Sequence, residues 1–227
     1  MNRQRIRLWD LPTRLFHWLL VLAVGAAVVS GQLGGKLIDL HGKIGLFIVG
    51  LIAFRLVWGF AGSTYARFAQ FFPTPARIKL YLKGEWRGVG HNPLGGLSVF
   101  ALIFLLTVQV VSGLFSNDDI AFVGPLYELI DKSMSDRLSG IHELFSNVLI
   151  GLVVLHVGAV IFHGHFKKDN LVKPMLTGWK DVASGEPARG GGFIALVVAL
   201  VLAGLVVYGA SGIWLPPPPV AVETPSW

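Results

Sequence analysis

The stretch IHELFSNVLIGLVVLH, residues 141–156, decides how this chain folds. It is apolar enough to lie within a membrane-spanning helix, yet it carries a histidine near its start and another at its end. His142 and His156 are 14 residues apart, which in an α-helix corresponds to about 21 Å along the axis and to one shared face. These imidazoles therefore cannot bind one metal ion, but each can serve a separate centre.

The rest of the chain has the composition of a polytopic membrane protein, with 53% hydrophobic and 14% charged residues among 227. Because backbone groups must pair within lipid, we expect α-helical spans over about residues 13–31, 41–61, 94–115, 141–163 and 193–214. No strand pattern and no soluble domain is expected. The absence of cysteine excludes disulfides, thiolate metal sites, iron–sulfur clusters and covalently attached haem.

The charges predict the orientation of the spans. Lysine and arginine dominate the N-terminal segment, the second connection and the segment after the fourth span, whereas the connection between the third and fourth spans is richer in acid. Basic segments stay in the cytoplasm, so we expect a multi-pass membrane protein with a cytoplasmic N-terminus and an external C-terminus. Nucleic acid is not an expected partner, since the basic residues are scattered among short loops.

Four units follow along the chain. Residues 1–180 are expected to form a four-helix bundle, residues 181–192 a flexible linker, residues 193–214 a fifth transmembrane helix and residues 215–227 a proline-rich external tail. The first span is also compatible with a signal peptide cleaved near Ser30. A retained helix is favoured, because the apolar run contains His17 and further spans follow it.

Four of the seven histidines fall into two pairs by depth. With the spans alternating in direction, His17 and His156 lie near the cytoplasmic surface, and His41 and His142 lie near the external one. A structural zinc ion needs four ligands, and all three methionines lie outside the spans, whereas haem iron takes two axial ligands from facing helices. We therefore expect an all-α integral membrane protein whose four-helix bundle holds two stacked b-type haems.

Two further residues are candidates for cofactor binding. Arg55 follows His41 by 14 residues, so it shares that helix face at the depth of the other centre, where a haem propionate would be a suitable partner. Its alternative is snorkelling to the interface. His91 precedes the third span and could bond a propionate or line a quinone pocket, although Asn92 and Pro93 beside it are also ordinary helix-start residues. Glycines within the spans allow close approach of a helix or a macrocycle.

The sequence resembles the prokaryotic di-haem cytochrome b561 family, which includes the b-type subunits of membrane-bound nickel–iron hydrogenases. The resemblance is carried by WDLPTRLFHW (residues 9–18), LHGKIG (40–45), GHNPLG (90–95) and the region 141–178, which begins IHE and ends HFKKDNLVKPMLTG. It covers roughly residues 5–180. The family's axial histidines fall on His17, His41, His142 and His156.

This resemblance implies transmembrane electron transfer between a membrane quinone and a redox partner at the membrane surface. It also implies a location in the bacterial inner membrane, where the external C-terminus would lie in the periplasm. The partner would be a hydrogenase-type subunit or a c-type cytochrome, and the chain could itself act as a quinone oxidoreductase. Two features depart from the compact family pattern: a fifth span and a long external loop over residues 116–140. Two other functions compete, a haem-free transporter or proton path and a purely structural anchor. The transporter would need acidic residues within the spans, which carry almost none beyond Glu143. The anchor does not explain why the histidines pair in depth.

Overall fold

The computed structural model of the protein describes residues 3–120 and 122–216. The helices are α1 (Leu11–Leu33), α2 (Ile38–Ala61), α3 (Phe68–Phe71), α4 (Pro75–Leu82), α5 (Pro93–Leu114), α6 (Lys132–His165), α7 (Val172–Thr177) and α8 (Phe193–Ala210), and the strands are β1 (Gln4–Arg7) and β2 (Trp179–Val182). The proline-rich tail predicted for residues 215–227 lies almost entirely outside the described residues.

Five of these helices, α1, α2, α5, α6 and α8, are long and apolar enough to cross a membrane, which confirms a multi-pass, all-helical membrane protein. Their ends alternate between two sides of the bundle. We call the side formed by residues 3–10, 62–92 and 166–192 the N-side, and the side formed by residues 34–37 and 115–131 the far side. The described helices pack closely in the pairs α1–α2, α2–α5, α5–α6 and α2–α8.

Side-chain caps fix the starts of two long helices, one of them at Asn92, where the sequence predicts it. Asp10 accepts the backbone N–H of Thr13 at 2.6 Å before α1, and Asn92 accepts that of Gly95 at 2.8 Å before α5. Proline follows each cap in the first turn. The second carboxylate oxygen of Asp10 accepts the indole N–H of Trp58 at 3.0 Å, which ties the start of α1 to the end of α2.

Helix α6 is longer than the predicted fourth span. It begins at Lys132, where Asp131 accepts the backbone N–H of Met134, and its 34 residues reach about 51 Å. The last nine residues of the predicted 116–140 loop, 132–140, are therefore helix. Hydropathy identifies only the apolar part of a helix, so it misses this first part of α6, whose charged residues suit a helix in water. On the loop side, Asn117 bonds Ser135 at 2.7 Å and fastens the remaining loop to α6.

A short antiparallel ribbon of β1 and β2 was not predicted. It pairs Gln4 with Val182 and Arg7 with Trp179, so the N-terminus and the segment after α6 meet on the N-side. The carbonyl of Gly178 accepts the N–H groups of Leu8 and Trp9 at 2.8 and 3.2 Å, and Gly178 has φ +85°. Two four-residue strands so distant in sequence leave no periodicity that a sequence reading can detect.

The segment 181–192 is bonded to the N-side of the bundle. The Tyr65 hydroxyl donates to the Glu186 carbonyl at 2.6 Å, and the Thr64 N–H donates to the Arg189 carbonyl at 2.8 Å. Helix α8 follows and packs along α2. Its contact face is made of small residues, since Ala199 and Ala203 are buried and a Cβ on Gly50 would lie 2.9 Å from Val207.

Candidate functional site

The far-side pair of histidines, His41 on α2 and His142 on α6, lies within the bundle with one ring edge-on to the other. Their ring centroids are 5.9 Å apart, and the ring planes cross at 85°. Neither α2 and α6 nor α1 and α6 is among the closely packed pairs of the described helices. The two imidazoles therefore project from helices that a cofactor could separate.

Each far-side imidazole is held by a backbone carbonyl of the preceding long helix. Nδ1 of His41 lies 2.9 Å from the Ala27 carbonyl, and Nδ1 of His142 lies 2.9 Å from the Gln109 carbonyl. Because a carbonyl oxygen can only accept, each Nδ1 carries the proton and donates it. The Nε2 lone pair of each ring is thus left for a metal, an arrangement typical of histidine ligands.

A cavity of about 460 Å³ opens beside these two rings. Its walls include both histidines, the apolar side chains of Ile48, Leu106 and Leu149, and several glycines, among them Gly45. A Cβ built on Gly45 meets no atom within 4 Å, so this glycine leaves the cavity open. The volume and the apolar lining with few polar groups are those of a cofactor pocket.

The N-side pair is His17 on α1 and His156 on α6. His17 lies within electrostatic range of His156. Its Nδ1 is buried and has no hydrogen-bond partner, whereas Nδ1 of His156 lies 3.5 Å from the Ser98 hydroxyl. The structure thus sets the ring of His41 against that of His142 and places His17 within electrostatic range of His156, and it gives the two sets different hydrogen-bond environments.

Arg55 is a buried cation on the N-side. It is 4% exposed, its guanidinium lies 4.6 Å above the Phe68 ring, and its Nη1 has no hydrogen-bond partner. Asp10 is within electrostatic range, but its two oxygens already accept from Thr13 and Trp58. A buried charge of this kind needs an anionic partner, which makes Arg55 a candidate to bind one. Its burial argues against snorkelling.

His91 lies within electrostatic range of Arg55 and of both histidines of the N-side pair. Its ring lies 4.5 Å from Phe71 and 4.8 Å from Trp9, and its Nδ1 is buried without a partner. Burial, together with the nearby groups Arg55, His156 and His17, lowers the pKa of His91 to about 3. The ring is therefore neutral at neutral pH, so it can act as a hydrogen-bonding group but not as a cation.

The sequence analysis missed two serines at the far-side pair. Ser30 and Ser112 are both buried, and each hydroxyl oxygen lies 3.4 Å from Nδ1 of a histidine, His41 and His142 respectively. A signal for them was present, since each is the third residue of the same tetrapeptide, Val-Val-Ser-Gly, at residues 28–31 and 110–113. The glycines predicted to allow close approach divide by role: Gly113 admits His142, whereas Gly59 admits Phe68.

Within the described residues, no group of three or more histidine, cysteine, aspartate or glutamate side chains could hold a bare metal ion. Histidines that occur in twos on facing membrane helices are an arrangement that can supply the two axial ligands of a haem iron, as in membrane cytochromes. In agreement, the sequence model of prokaryotic cytochrome b561 matches residues 8–178. The chain belongs to this family, and it is accordingly a transmembrane electron carrier that binds b-type haem.

Curated relatives carry the same kind of name. The chain is similar to the probable Ni/Fe-hydrogenase 1 B-type cytochrome subunit of Escherichia coli (strain K12), at 20% identity over 78% of this chain and 92% of the relative. The probable Ni/Fe-hydrogenase B-type cytochrome subunit of Azotobacter vinelandii is 24% identical over 80% of this chain and 91% of the relative. No solved structure matches the chain.

The far-side residues fit a haem. Imidazole–metal bonds are about 2 Å long, so two rings on opposite faces of one iron have centroids about 6 Å apart. The observed distance between His41 and His142 is 5.9 Å, and the adjoining cavity has room for part of a macrocycle. On the N-side, the unpartnered atoms of His17, Arg55 and His91 fit a ligand that carries both a metal and carboxylates.

Proposed function

We propose that this protein carries electrons across the bacterial inner membrane with two bis-histidine b haems, between the quinone pool and a redox partner at the membrane surface. The observation that carries this proposal is the geometry of His41 and His142, whose rings are 5.9 Å apart with both Nδ1 protons already donated to backbone carbonyls. When bound, each haem supplies one iron that changes its charge by one electron. The chain supplies position, tautomer and charge.

The ligands of the two haems come from three helices. We assign His41 and His142 to the far-side haem and His17 and His156 to the N-side haem. Helix α6 contributes one ligand to each, so His142 and His156 set the separation of the two centres along one axis, about 21 Å. Arg55 binds a propionate of the N-side haem, and this anion neutralises the otherwise unpaired guanidinium.

We propose that a quinone headgroup binds in a small cavity on the N-side. The cavity is about 130 Å³ and is lined by Tyr65, Gln70, Phe71, Trp86 and His91. For comparison, a cavity of about 150 Å³ in another protein accommodates one benzene ring. The polar side chains that line the cavity are hydrogen-bonding groups suited to quinone carbonyls. The neutral ring of His91 lies within electrostatic range of the N-side histidines.

The partner at the membrane surface is proposed to be a hydrogenase-type subunit, because the relatives are named as B-type cytochrome subunits of Ni/Fe-hydrogenases. A c-type cytochrome would be the alternative, and since this chain has no cysteine, such a haem would belong to another protein. Co-purification from native membranes identifies the partner directly. With a quinone bound, the complex would act as a quinone oxidoreductase.

The ligand pairs are tested by four alanine variants. We expect His41→Ala and His142→Ala to alter one haem, and His17→Ala and His156→Ala to alter the other, as resolved by redox titration of the α-band. The double variant His41→Ala/His142→Ala should cost little more than its worse single variant, because both act on one centre. The double variant His142→Ala/His156→Ala should instead lose both haems.

Haem extraction with acidified acetone and pyridine haemochrome quantitation give the stoichiometry of the unchanged protein, with two extractable haems per chain expected. His165→Ala, on the same helix as two proposed ligands, serves as the control and should leave both haems in place. A protein with no b-type α-band would instead support the transporter or anchor. Grouping of His142 with His17 would contradict the assigned pairs.

A further inference from the structure

The Val-Val-Ser-Gly tetrapeptide occurs near the far-side ends of α1 and α5, at residues 28–31 and 110–113. Each copy belongs to the helix that precedes a far-side histidine in the chain, α1 before His41 and α5 before His142. A four-residue repeat in apolar helices carries little weight alone. What gives it weight is that both copies contact a histidine ring in the same way.

The two sets of contacts agree closely in their distances. The Ser30 hydroxyl donates to the Ala26 carbonyl at 2.8 Å and lies 3.4 Å from Nδ1 of His41. The Ser112 hydroxyl donates to the Val108 carbonyl at 2.8 Å and lies 3.4 Å from Nδ1 of His142. Each serine also reaches the carbonyl that accepts from the histidine, at 3.2 Å for Ala27 and 3.1 Å for Gln109.

The glycine of each copy provides room for the ring edge. A Cβ on Gly31 would lie 3.1 Å from Cε1 of His41, and a Cβ on Gly113 would lie 2.8 Å from Cε1 of His142. The glycine therefore admits the imidazole, while the serine oxygen and the carbonyl oxygen both face its Nδ1–H. Rotation of the ring about its Cβ–Cγ bond would bring Nδ1–H away from both oxygens, so the serine–glycine pair forms a slot that favours one ring plane.

We propose that the two serine–glycine slots are a duplicated positioning site: Ser30 with Gly31 and Ser112 with Gly113 fix the ring planes of His41 and His142, and thereby the crossing angle of the two axial ligands of the far-side haem. The inference rests on the proposed function, in which these histidines share one haem. It adds a role for residues that are not ligands. The observed angle between the two rings is 85°.

The N-side pair is not held by such slots. His17 has no partner at Nδ1, and His156 has only the Ser98 hydroxyl at 3.5 Å. The slots therefore distinguish the two centres. Changing either Ser30 or Ser112 should therefore affect the far-side haem and leave the N-side haem unaffected.

Electron paramagnetic resonance of the oxidised, full-length protein tests this directly. Crossed imidazole planes give a low-spin ferric signal with one dominant low-field feature, whereas parallel planes give three resolved features. In the unchanged protein we expect one dominant low-field feature that is lost in His41→Ala. In Ser30→Ala and in Ser112→Ala this feature should shift towards the three-feature pattern, and in the double variant it should shift further.

The matched control is Thr107→Val on α5. The Thr107 hydroxyl also donates to a carbonyl of its own helix, that of Ile103 at 2.8 Å, so the variant removes the same kind of bond away from any histidine. It should leave both signals unchanged. A far-side signal that is identical in the unchanged protein and in both serine variants would overturn the inference, while two extractable haems would still support the proposed function.

The glycines give a second, independent measurement. Gly113→Ala should lose more far-side haem than Gly31→Ala, because its Cβ approaches the ring more closely. Gly209→Ala on α8, where a Cβ meets nothing within 4 Å, is the control and should retain both haems. Equal haem retention in all three variants would contradict the slots. Absence of any b-type spectrum from the unchanged protein would instead overturn the proposed function itself.

Discussion

Arg55 is a buried cation with an unpartnered nitrogen, and an anionic group of a cofactor would complete its surroundings. Its guanidinium is buried against Phe68, and Nη1 has no hydrogen-bond partner. An unpaired buried cation costs several kcal/mol, so evolution rarely leaves one without an anion. It stands 14 residues after His41, as His156 stands 14 residues after His142, and the two therefore occupy equivalent depths on α2 and α6.

Arg55→Gln is expected to lower the reduction potential of the N-side haem. Removing a positive charge near the iron favours the oxidised form, and at an effective dielectric constant of about 20 the shift is on the order of tens of millivolts. Redox titration of the two haems measures it. Arg77→Gln is the control, since Arg77 lies on the same side, is only partly buried and donates to the carbonyls of Gln70 and Phe72. Equal shifts at both haems would contradict the assignment of Arg55.

Single residues differ in how well the sequence predicts them. His17, His41, His142 and His156 could be paired because helix periodicity and alternating span direction together fix both face and depth. Ser30 and Ser112 could not be assigned, because their contacts depend on how two helices dock side by side. No spacing within one helix reports that docking. Only the repeated tetrapeptide hinted at it.

At the scale of elements, α8 is separate from the proposed haem ligands. It carries no histidine and contacts α2 through small residues such as Ala199 and Ala203. Helix association in lipid depends on this kind of close van der Waals packing, so α8 contributes to the stability of α2 without lining the far-side cavity.

Ending the chain after Gly192 should remove α8 and retain both haems. This end point preserves the β1–β2 ribbon and the bonds of Glu186 and Arg189 to the N-side. We expect the same haem-to-protein ratio, with a lower midpoint for thermal loss of the Soret band in detergent. Ala203→Leu in the full chain is a milder version, expected to lower the midpoint by overpacking the α2–α8 contact. Loss of both haems from a truncated protein that still inserts would show that α8 belongs to the haem-binding bundle.

The elements themselves were mostly predictable. Five apolar runs gave five helices, because in lipid a spanning segment has few alternatives to a helix. The ribbon of β1 and β2, the water-exposed start of α6 and the short helices α3, α4 and α7 were not predicted. These elements lie outside the hydrocarbon core, where water can satisfy the backbone and hydropathy no longer constrains it.

For the whole molecule, the distribution of charge separates the two sides. Residues 62–92 and 166–192 on the N-side hold ten lysines and arginines against four acids, whereas residues 115–140 on the far side hold two against five. This asymmetry supports a cytoplasmic N-side. It also concerns the partner, since an electron donor or acceptor meets a basic surface on one side and an acidic surface on the other.

Because the chain has no cysteine, its orientation can be tested with single introduced thiols. Glu128→Cys on the far side should react with a membrane-impermeant maleimide in intact cells. Lys83→Cys on the N-side should react only after the inner membrane is opened. Both positions are exposed, so accessibility differs only by side. The reverse labelling pattern would place the N-side in the periplasm.

One helix, α6, supplies a ligand to both proposed centres, and this has a mechanical consequence. The distance between the two proposed centres is set by the rise per residue of a single helix, not by loops or by the packing between helices. A thinner or thicker bilayer can tilt α6 or move the neighbouring helices apart, and the angle between the two histidine rings of a pair then changes. The electron-transfer distance between the centres bound by His142 and His156 is nearly unaffected. Related chains can therefore vary their loops, partners and lipid surroundings, whereas any insertion or deletion between these two histidines would change the distance between the two proposed centres.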